Sequence, residues 1–180
     1  KSRSSQYLKF FSVVFQDFKI FAFTLGENVG SSANYDAARA TECLNKAGFG
    51  DRLATMEKGL DTFLYSAYDK NGVNVSGGEA QKIAIARTLY KNAPFIVLDE
   101  PTAALDPLAE AEIYSKFNDI AQGKTAVYIS HRLSSCKFCD EIAVFSDGEV
   151  VQYGTHESLL AEKNGKYFKL WNAQAQYYTD

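Results

Sequence analysis

The sequence is poor in cysteine and has no long apolar run. It contains 3 cysteines in 180 residues, an odd number too small for a disulfide framework, so a reducing compartment is favoured. No apolar stretch approaches the roughly 20 residues of a membrane-spanning helix. The net charge of −3 leaves no basic excess, which argues against a nucleic-acid-binding protein that relies on a basic face. We therefore expect no nucleic-acid partner.

Cys136 and Cys139 form a C-x-x-C pair. A structural zinc site would need a second pair of ligands, and Cys43, His131 and His156 stand at unsuitable spacings. A redox role would need the pair to open a helix in a thioredoxin-like setting, which the surrounding pattern lacks. We predict that both cysteines are ordinary small residues in a helix near a strand.

What the sequence does contain is an alternation of apolar strands and helical patterns. The runs 95–98 and 126–129 are continuously apolar, and each is followed by a helix-forming segment. This pattern is typical of a buried parallel sheet in an α/β fold. A first strand is predicted over 7–15, and helices are predicted over about 77–91 and 107–121.

The interval from about 26 to 68 is mostly helical in pattern, with helical pieces at 34–48, 51–59 and 61–68. Gly48 is placed to end the first piece in the left-handed conformation. Towards the end of the chain, the strands "EIAVFS" and "EVVQYG" are joined by the turn Asp147–Gly148, and two helices follow.

Two carboxylates, Asp99 and Glu100, end the apolar run "FIVLDE". The carboxyl edge of a parallel sheet is where open α/β sheets bind ligands. One acid there suits a metal ion that also touches phosphate oxygens, and the other could orient or deprotonate a water. The alternative is a charged surface turn that Pro101 closes.

Three further polar residues stand at or between strand ends. His131 follows the strand "TAVYIS", and Gln16 follows the first strand. Taken alone, His131 could be structural and Gln16 could be a loop residue. Asp106 could simply cap a helix that begins at Pro107.

The stretch "NVSGGEAQK" opens the helix predicted over 77–91. Ser76 and Glu79 have the spacing of a capping box, in which each side chain satisfies a backbone N–H of the other residue. The box does not explain Gly77 and Gly78. Bare glycines at a rigid helix start expose N–H donors and the positive end of the helix dipole, which favours an anion such as a phosphate.

In order and spacing, these segments resemble the motifs of the ATP-binding cassette (ABC) ATPases. "VVFQD" resembles the Q-loop, "VSGGEAQKIAIART" the signature motif, "FIVLDE" the Walker B motif with the catalytic glutamate, "TAALDP" the D-loop and "YISHR" the switch-histidine loop. The resemblance extends into the tail "VFSDGEVVQYGTHESLL" and so covers essentially the whole chain.

The resemblance implies an α/β fold consisting of a partial RecA-like P-loop NTPase core, with helices flanking a parallel sheet, and the helical subdomain of ABC proteins. It assigns residues 1–16 to the first core strand up to the Q-loop. Residues 17–91 would be the helical subdomain with the signature motif. Residues 92–180 would be the rest of the core, with Walker B, the D-loop, the switch histidine and the C-terminal helices.

The resemblance also implies ATP hydrolysis, with ATP and Mg²⁺ as cofactors. Asp99 would help to hold Mg²⁺, and Glu100 would polarise the attacking water. His131 would contact the γ-phosphate of ATP. Gln16 would approach the metal and the water and link the site to a membrane partner.

In this family two ATP molecules lie between two head-to-tail nucleotide-binding domains, which form a homodimer or a heterodimer. The residues that would face ATP held by the second domain are Ser76, Gly77, Gly78 and Glu79. Asp106 would lie at the dimer interface.

The sequence departs from the family pattern in two ways. Val75 and Glu79 replace the usual Leu and Gln of the signature. The chain also has no G-x-x-x-x-G-K-[ST] motif. It contains one "GKT", at 123–125, but Asn118 stands five positions before Gly123, where the motif requires glycine. The triplet is also predicted to follow a helix, whereas a P-loop follows a strand. We expect the chain to be truncated before the P-loop and predict that it does not hydrolyse ATP alone.

"FTLGENV" and "SHRLS" resemble exporters whose ATPase is fused to membrane helices. We therefore predict a transmembrane partner fused upstream and a place on the cytoplasmic face of the plasma (inner) membrane. Phe18, Phe21 and Phe23 are predicted to line a groove for a coupling helix of that partner, with core packing as the alternative. A non-transport ABC ATPase and a catalytically inactive cassette-derived interaction module are the alternative functions.

Overall fold

The structure is a computed structural model that describes residues 6–102, 105, 110, 113–115, 121 and 123–176. The chain divides into two compact units, Lys1–Ile129 and Ser130–Asp180. The predicted division at residues 16 and 91 stays a prediction. No helix in the described part of the chain is both long enough and apolar enough to cross a bilayer.

The first unit contains a parallel sheet of three strands in the order β1-β2-β3. The strands are β1 (Phe11–Val14), β2 (Phe95–Asp99) and β3 (Thr125–Ile129). Val14 pairs with Leu98, and Asp99 pairs with Ile129. The α/β arrangement with a parallel sheet is therefore confirmed.

The predicted strand over 7–15 is too long. Leu8–Phe10 is a short 3₁₀ turn, and β1 begins only at Phe11. The neighbouring strand also begins one residue after Pro94, which has no N–H to donate to a ladder. Without a strand to pair with, the first half of the apolar run is not held in an extended conformation.

The two faces of the sheet differ in burial, which corrects the expectation of continuously buried strands. Val14, Ile96 and Leu98 are buried on one face, where Phe18, Ala121, Ala126 and Tyr128 pack against them. The opposite face exposes large apolar side chains, namely Phe11, Phe95, Val127 and Ile129. The alternation follows from the two-residue period of a strand, and among the described residues no layer covers the second face.

Four α-helices are described completely in the first unit: α1 (Leu25–Gly30), α2 (Ala37–Lys46), α3 (Gly50–Ala54) and α4 (Gly77–Lys91). The bounds of α4 agree with the prediction. Gly48 has φ +74°, as expected for a residue that ends the preceding helix. Of the helix predicted over 107–121, residues 110, 113–115 and 121 are helical.

The segment 61–68 is not the predicted helix. Its only helical part is the end of a 3₁₀ turn, Gly59–Asp61. Phe63 and Leu64 form isolated bridges with Thr24 and Val73 instead. Tyr65 has φ +62°, which interrupts a right-handed helix.

The largest core of this unit lies between α4 and the short helices. α4 contributes Ile83, Ile85, Ala86 and Leu89, and these pack with Leu25, Leu44, Phe49 and Leu64. Because apolar residues occupy most faces of α4, the helix is held along its whole length.

The second unit is built on a β-hairpin. The strands β4 (Ile142–Ser146) and β5 (Glu149–Gly154) are antiparallel and are followed by α5 (His156–Ala161) and α6 (Lys166–Gln176). Asp147 and Gly148 both have positive φ, as a tight two-residue hairpin turn requires. The hairpin core consists of Leu133, Ile142, Val144, Leu159 and Tyr167.

Cys136 and Cys139 are free thiols that pack against this hairpin core. They lie in and just after a 3₁₀ helix, Leu133–Phe138, instead of an α-helix. Burial is the main reason why the pKa of Cys136 rises to about 11. The pair is therefore a packing element near a strand.

Candidate functional site

Asp99 and Gln16 lie at the carboxyl edge of the parallel sheet. Asp99 is the last residue of β2 and is half-buried. Gln16 lies in the turn after β1, two residues beyond Val14, and its side chain is exposed. Because β1 and β2 are parallel neighbours, both residues follow strand ends on the same edge, as the sequence predicted.

Glu100 has an unusual backbone conformation for a non-glycine residue. Its φ is +47°, in the left-handed region, which costs an L-residue roughly 1–2 kcal/mol. Its N–H donates to the Ile129 carbonyl at 3.0 Å, and its carbonyl accepts a hydrogen bond from Nε2 of Gln81 at 3.1 Å. The peptide groups on both sides of this residue are therefore held in place.

The N-terminus of α4 has the predicted capping box. Oγ of Ser76 accepts a hydrogen bond from the Glu79 N–H at 3.2 Å, and Oε2 of Glu79 accepts one from the Ser76 N–H at 2.8 Å. Gly77 is exposed and Gly78 is partly exposed, so the first turn is open to solvent.

Glu79 has a second partner in Arg52 of α3. Oε1 of Glu79 lies 2.9 Å from Nε of Arg52, and both side chains are partly exposed. A partly exposed pair contributes little to stability. It does place a positive charge beside the acid that stands where the family pattern has glutamine.

His131 belongs to the second unit, where its side chain is exposed. Gln174 of α6 holds the loop, since its Nε2 donates to the His131 carbonyl and its Oε1 accepts the Leu133 N–H at 2.9 Å. Oγ of Ser130 accepts the Arg132 N–H at 2.9 Å. The backbone around the predicted switch histidine is thus fixed by side chains on both sides.

Two aromatic residues of the segment after Gln16, Phe21 and Phe23, form an exposed aromatic cluster with Tyr68, which precedes α4. Phe23 stacks on Tyr68 with ring centroids 6.2 Å apart, and Phe21 lies 6.1 Å from Phe23. All three are largely exposed. Phe18 differs, because it packs against the buried face of the sheet.

A buried hydroxyl network follows Glu100. Oε1 of Glu110 accepts hydrogen bonds from Thr102 at 3.0 Å and from Tyr114 at 2.9 Å. Tyr114 also bonds to the hydroxyl of Tyr128 on β3. Thr102, Glu110 and Tyr114 are each less than a tenth exposed. The network fastens the segment after Walker B to the sheet.

Sequence reasoning missed Gln81, Gln174 and the network of Glu110. Gln81 had a usable signal, because it stands four positions before Ile85 and therefore on the buried face of the helix. Glu110 and Tyr114 likewise have the four-residue spacing of neighbours on one helix face. Gln174 had no such signal, since its partners are more than 40 residues away. Asp106 lies outside the described residues, so its predicted position at a dimer interface stays a prediction.

The triplet 123–125 lies where a connecting turn is expected. Gly123 has φ +71°, and the Lys124 N–H closes a turn on the Ala121 carbonyl. The triplet therefore forms a connecting turn that leads into β3, at the edge of the sheet opposite Asp99, as the sequence predicted.

The donor set at the carboxyl edge fits part of a Mg²⁺ site. Among the described residues no group of three or more His, Cys, Asp or Glu side chains could hold a metal ion. The oxygens of Asp99 and Gln16 are hard ligands of the kind Mg²⁺ prefers, and Mg²⁺ commonly takes its remaining ligands from water and substrate phosphates.

The chain is similar in sequence to membrane exporters. The family profile described as ABC transporter matches residues 2–103. An ATP-dependent lipid A-core flippase of Idiomarina loihiensis is 39% identical over 166 residues, which is 91% of this chain and 28% of that protein. ABC transporter B family member 16 of Arabidopsis thaliana is 40% identical over 167 residues, which is 91% of this chain and 13% of that protein.

A solved structure shares the fold. A bacterial Atm1-family ABC exporter with ATP bound has a TM-score of 0.84 to this chain at 33% identity, covering 95% of this chain and 30% of that chain. The chain therefore spans less than a third of the length of these relatives.

Proposed function

The chain belongs to the ABC transporter family, and we propose that it is the ATP-hydrolysing part of a longer membrane exporter. Its relatives are a flippase and an ABC exporter, in which the comparable segment is 28% and 30% of the chain. ATP is the nucleotide that the family membership implies. We also propose that ATP hydrolysis by this part is coupled to export across the membrane.

The observation that supports this proposal best is the geometry of the two strand-end carboxylates. Asp99 ends β2 at the carboxyl edge of the sheet, and Glu100 follows it with both flanking peptide groups hydrogen-bonded. In this scheme Asp99 and Gln16 bind Mg²⁺, which would neutralise charge on the phosphate oxygens. Glu100 accepts a hydrogen bond from the attacking water and so orients it.

The solvent-exposed N-terminus of α4 supports a role in a second ATP site, in which the nucleotide is held by another domain. Ser76 and Glu79 are held by their mutual cap, while Gly77 leaves the first turn open. We propose that this tip binds the γ-phosphate of ATP held by a second nucleotide-binding domain. His131 is proposed to contact the γ-phosphate of ATP.

The aromatic cluster supports a membrane-domain partner. Phe21 and Phe23, in the segment that follows Gln16, form an exposed aromatic cluster with Tyr68. We propose that it receives a coupling helix, because exposed apolar groups of this kind mark partner surfaces. Phe18 does not belong to this surface. The proposal places the chain on the cytoplasmic face of the membrane.

The test is steady-state ATP hydrolysis by the full-length protein that carries this chain. We expect Glu100→Gln to abolish turnover while ATP binding is kept, because the amide cannot act as a base. Glu149→Gln, an exposed change in the hairpin, serves as the matched control. Full turnover by Glu100→Gln would contradict the proposed role of this residue. A wild-type protein without any turnover would favour the inactive interaction module.

The isolated 180-residue chain gives a second test. We expect it to bind ATP weakly and not to hydrolyse it, because it contains no G-x-x-x-x-G-K motif for the phosphates. Turnover by this chain that disappears in Glu100→Gln would overturn the prediction.

A further inference from the structure

Gln81 is a buried polar residue with a specific partner. It lies in the second turn of α4, and its side chain is only 2% exposed. Its Nε2 donates to the Glu100 carbonyl at 3.1 Å. A buried amide is tolerated when it is hydrogen-bonded, so this contact accounts for a polar residue on the buried face of α4.

The partner carbonyl belongs to a residue in a disfavoured conformation. Glu100 has φ +47°, and a non-glycine residue keeps such a backbone only where its surroundings fix it. The Ile129 carbonyl holds the N–H side of Glu100, and Gln81 holds its carbonyl side. Loss of the Gln81 bond would free Glu100 to relax and would redirect its carboxylate.

α4 connects Gln81 to the helix tip as a rigid body. Gln81 follows Gly78 by three residues, which is about 4.5 Å along the helix axis. The helix is also packed into the core beyond Gln81, because Ile83, Ile85 and Ala86 are buried. A displacement of the N-terminus of α4 therefore displaces Gln81 by a similar amount.

We propose that Gln81 is a positioning residue that couples the two ATP sites of the dimer, by linking the helix tip that senses the partner's nucleotide to the backbone of this chain's own Glu100. This inference rests on the proposed function. Binding of the partner's γ-phosphate fixes α4, and α4 through Gln81 fixes the carboxylate that orients water in the other site.

The test uses the full-length protein and two nearly isosteric variants. Gln81→Met fills a similar volume but has no donor. Gln81→Leu is a second apolar replacement of similar size that has no donor either. Lys82→Met is the matched control, since it also removes a side-chain donor to a backbone carbonyl from the same helix. The measurements are kcat, KM and the Hill coefficient for ATP.

We expect kcat to fall about tenfold in both Gln81 variants, with KM changed less than about twofold, because the lost bond orients Glu100 and does not bind ATP. The Hill coefficient should fall towards that of independent sites, while Lys82→Met behaves like wild type. If Gln81→Met lowers the melting temperature, Gln81→Leu, which fills the same space with a differently shaped apolar side chain, decides the result.

An unchanged kcat or Hill coefficient in the Gln81 variants would overturn the inference, as would an equal loss in Lys82→Met. These outcomes differ from failure of the proposed function. If Glu100→Gln abolishes turnover and the Gln81 variants do not, only the coupling role is wrong. If Glu100→Gln retains turnover, the proposed function fails first.

Discussion

The guanidinium of Arg87 donates to the backbone oxygen of Asn28 at 2.7 Å and to its side-chain oxygen at 3.2 Å. Asn28 is itself 2% exposed and exchanges two hydrogen bonds with the backbone of Phe21, both at 2.9 Å. The pair therefore ties the segment that follows Gln16 to α4. The helix that carries the signature motif and the segment that carries Phe21 and Phe23 of the aromatic cluster form one connected structure.

We expect Asn28→Ala to loosen this segment, because the Phe21 N–H loses its acceptor. Hydrogen exchange of the Phe21 amide should accelerate by about 10-fold or more. Asn34→Ala, in the exposed loop before α2, should leave that amide unchanged. Equal protection of Phe21 in both variants would show that Asn28 does not hold the segment.

Ser76→Ala and Thr24→Ala separate capping from nucleotide binding. Both residues form capping boxes, Ser76 with Glu79 and Thr24 with Glu27. Each variant should destabilise its own helix start by about 1 kcal/mol, measured by hydrogen exchange of the Glu79 or Glu27 amide. Only Ser76→Ala should also lower the ATPase activity of the full-length protein. A similar loss in Thr24→Ala would mean that helix stability alone explains the effect.

Tyr114→Phe should weaken the buried network after Walker B. The variant removes the hydroxyl that contacts Thr102, Glu110 and Tyr128, at a cost of about 1–2 kcal/mol. Thermal unfolding measures the effect. Tyr90→Phe is the control, because the Tyr90 hydroxyl accepts a hydrogen bond from the exposed N–H of Asp36. The network carries little of the stability if both variants melt alike.

Alkylation of Cys136 in the native protein should be slow near neutral pH, because burial keeps its thiol protonated. Burial and the nearby Cys139 raise its pKa from 9.0 to about 11, so the native thiol stays protonated longer than the unfolded one. Its contribution to stability is present below pH 9.0 and is lost as the pH rises through about 11. Iodoacetamide should therefore modify native Cys136 slowly at pH 8 and rapidly in urea, as mass spectrometry can measure. Fast native labelling at pH 8 would contradict this.

The sequence by itself determined the features that depend on near neighbours. The capping box of Ser76 and Glu79 needs only a three-residue spacing, so its geometry agrees with the prediction. The bounds of α4, the three parallel strands and the position of Asp99 at a strand end also follow from local periodicity and turn residues.

The tertiary structure decided what depends on distant partners. An apolar run such as 7–15 becomes a strand only where a neighbour can pair with it, so β1 begins at Phe11. The segment 61–68 forms bridges instead of a helix because Thr24 and Val73 supply partners. The left-handed backbone of Glu100 and the hydrogen bond from Gln81 join residues 19 positions apart. Such contacts form only once the sheet and α4 have packed, and local sequence preference does not encode them.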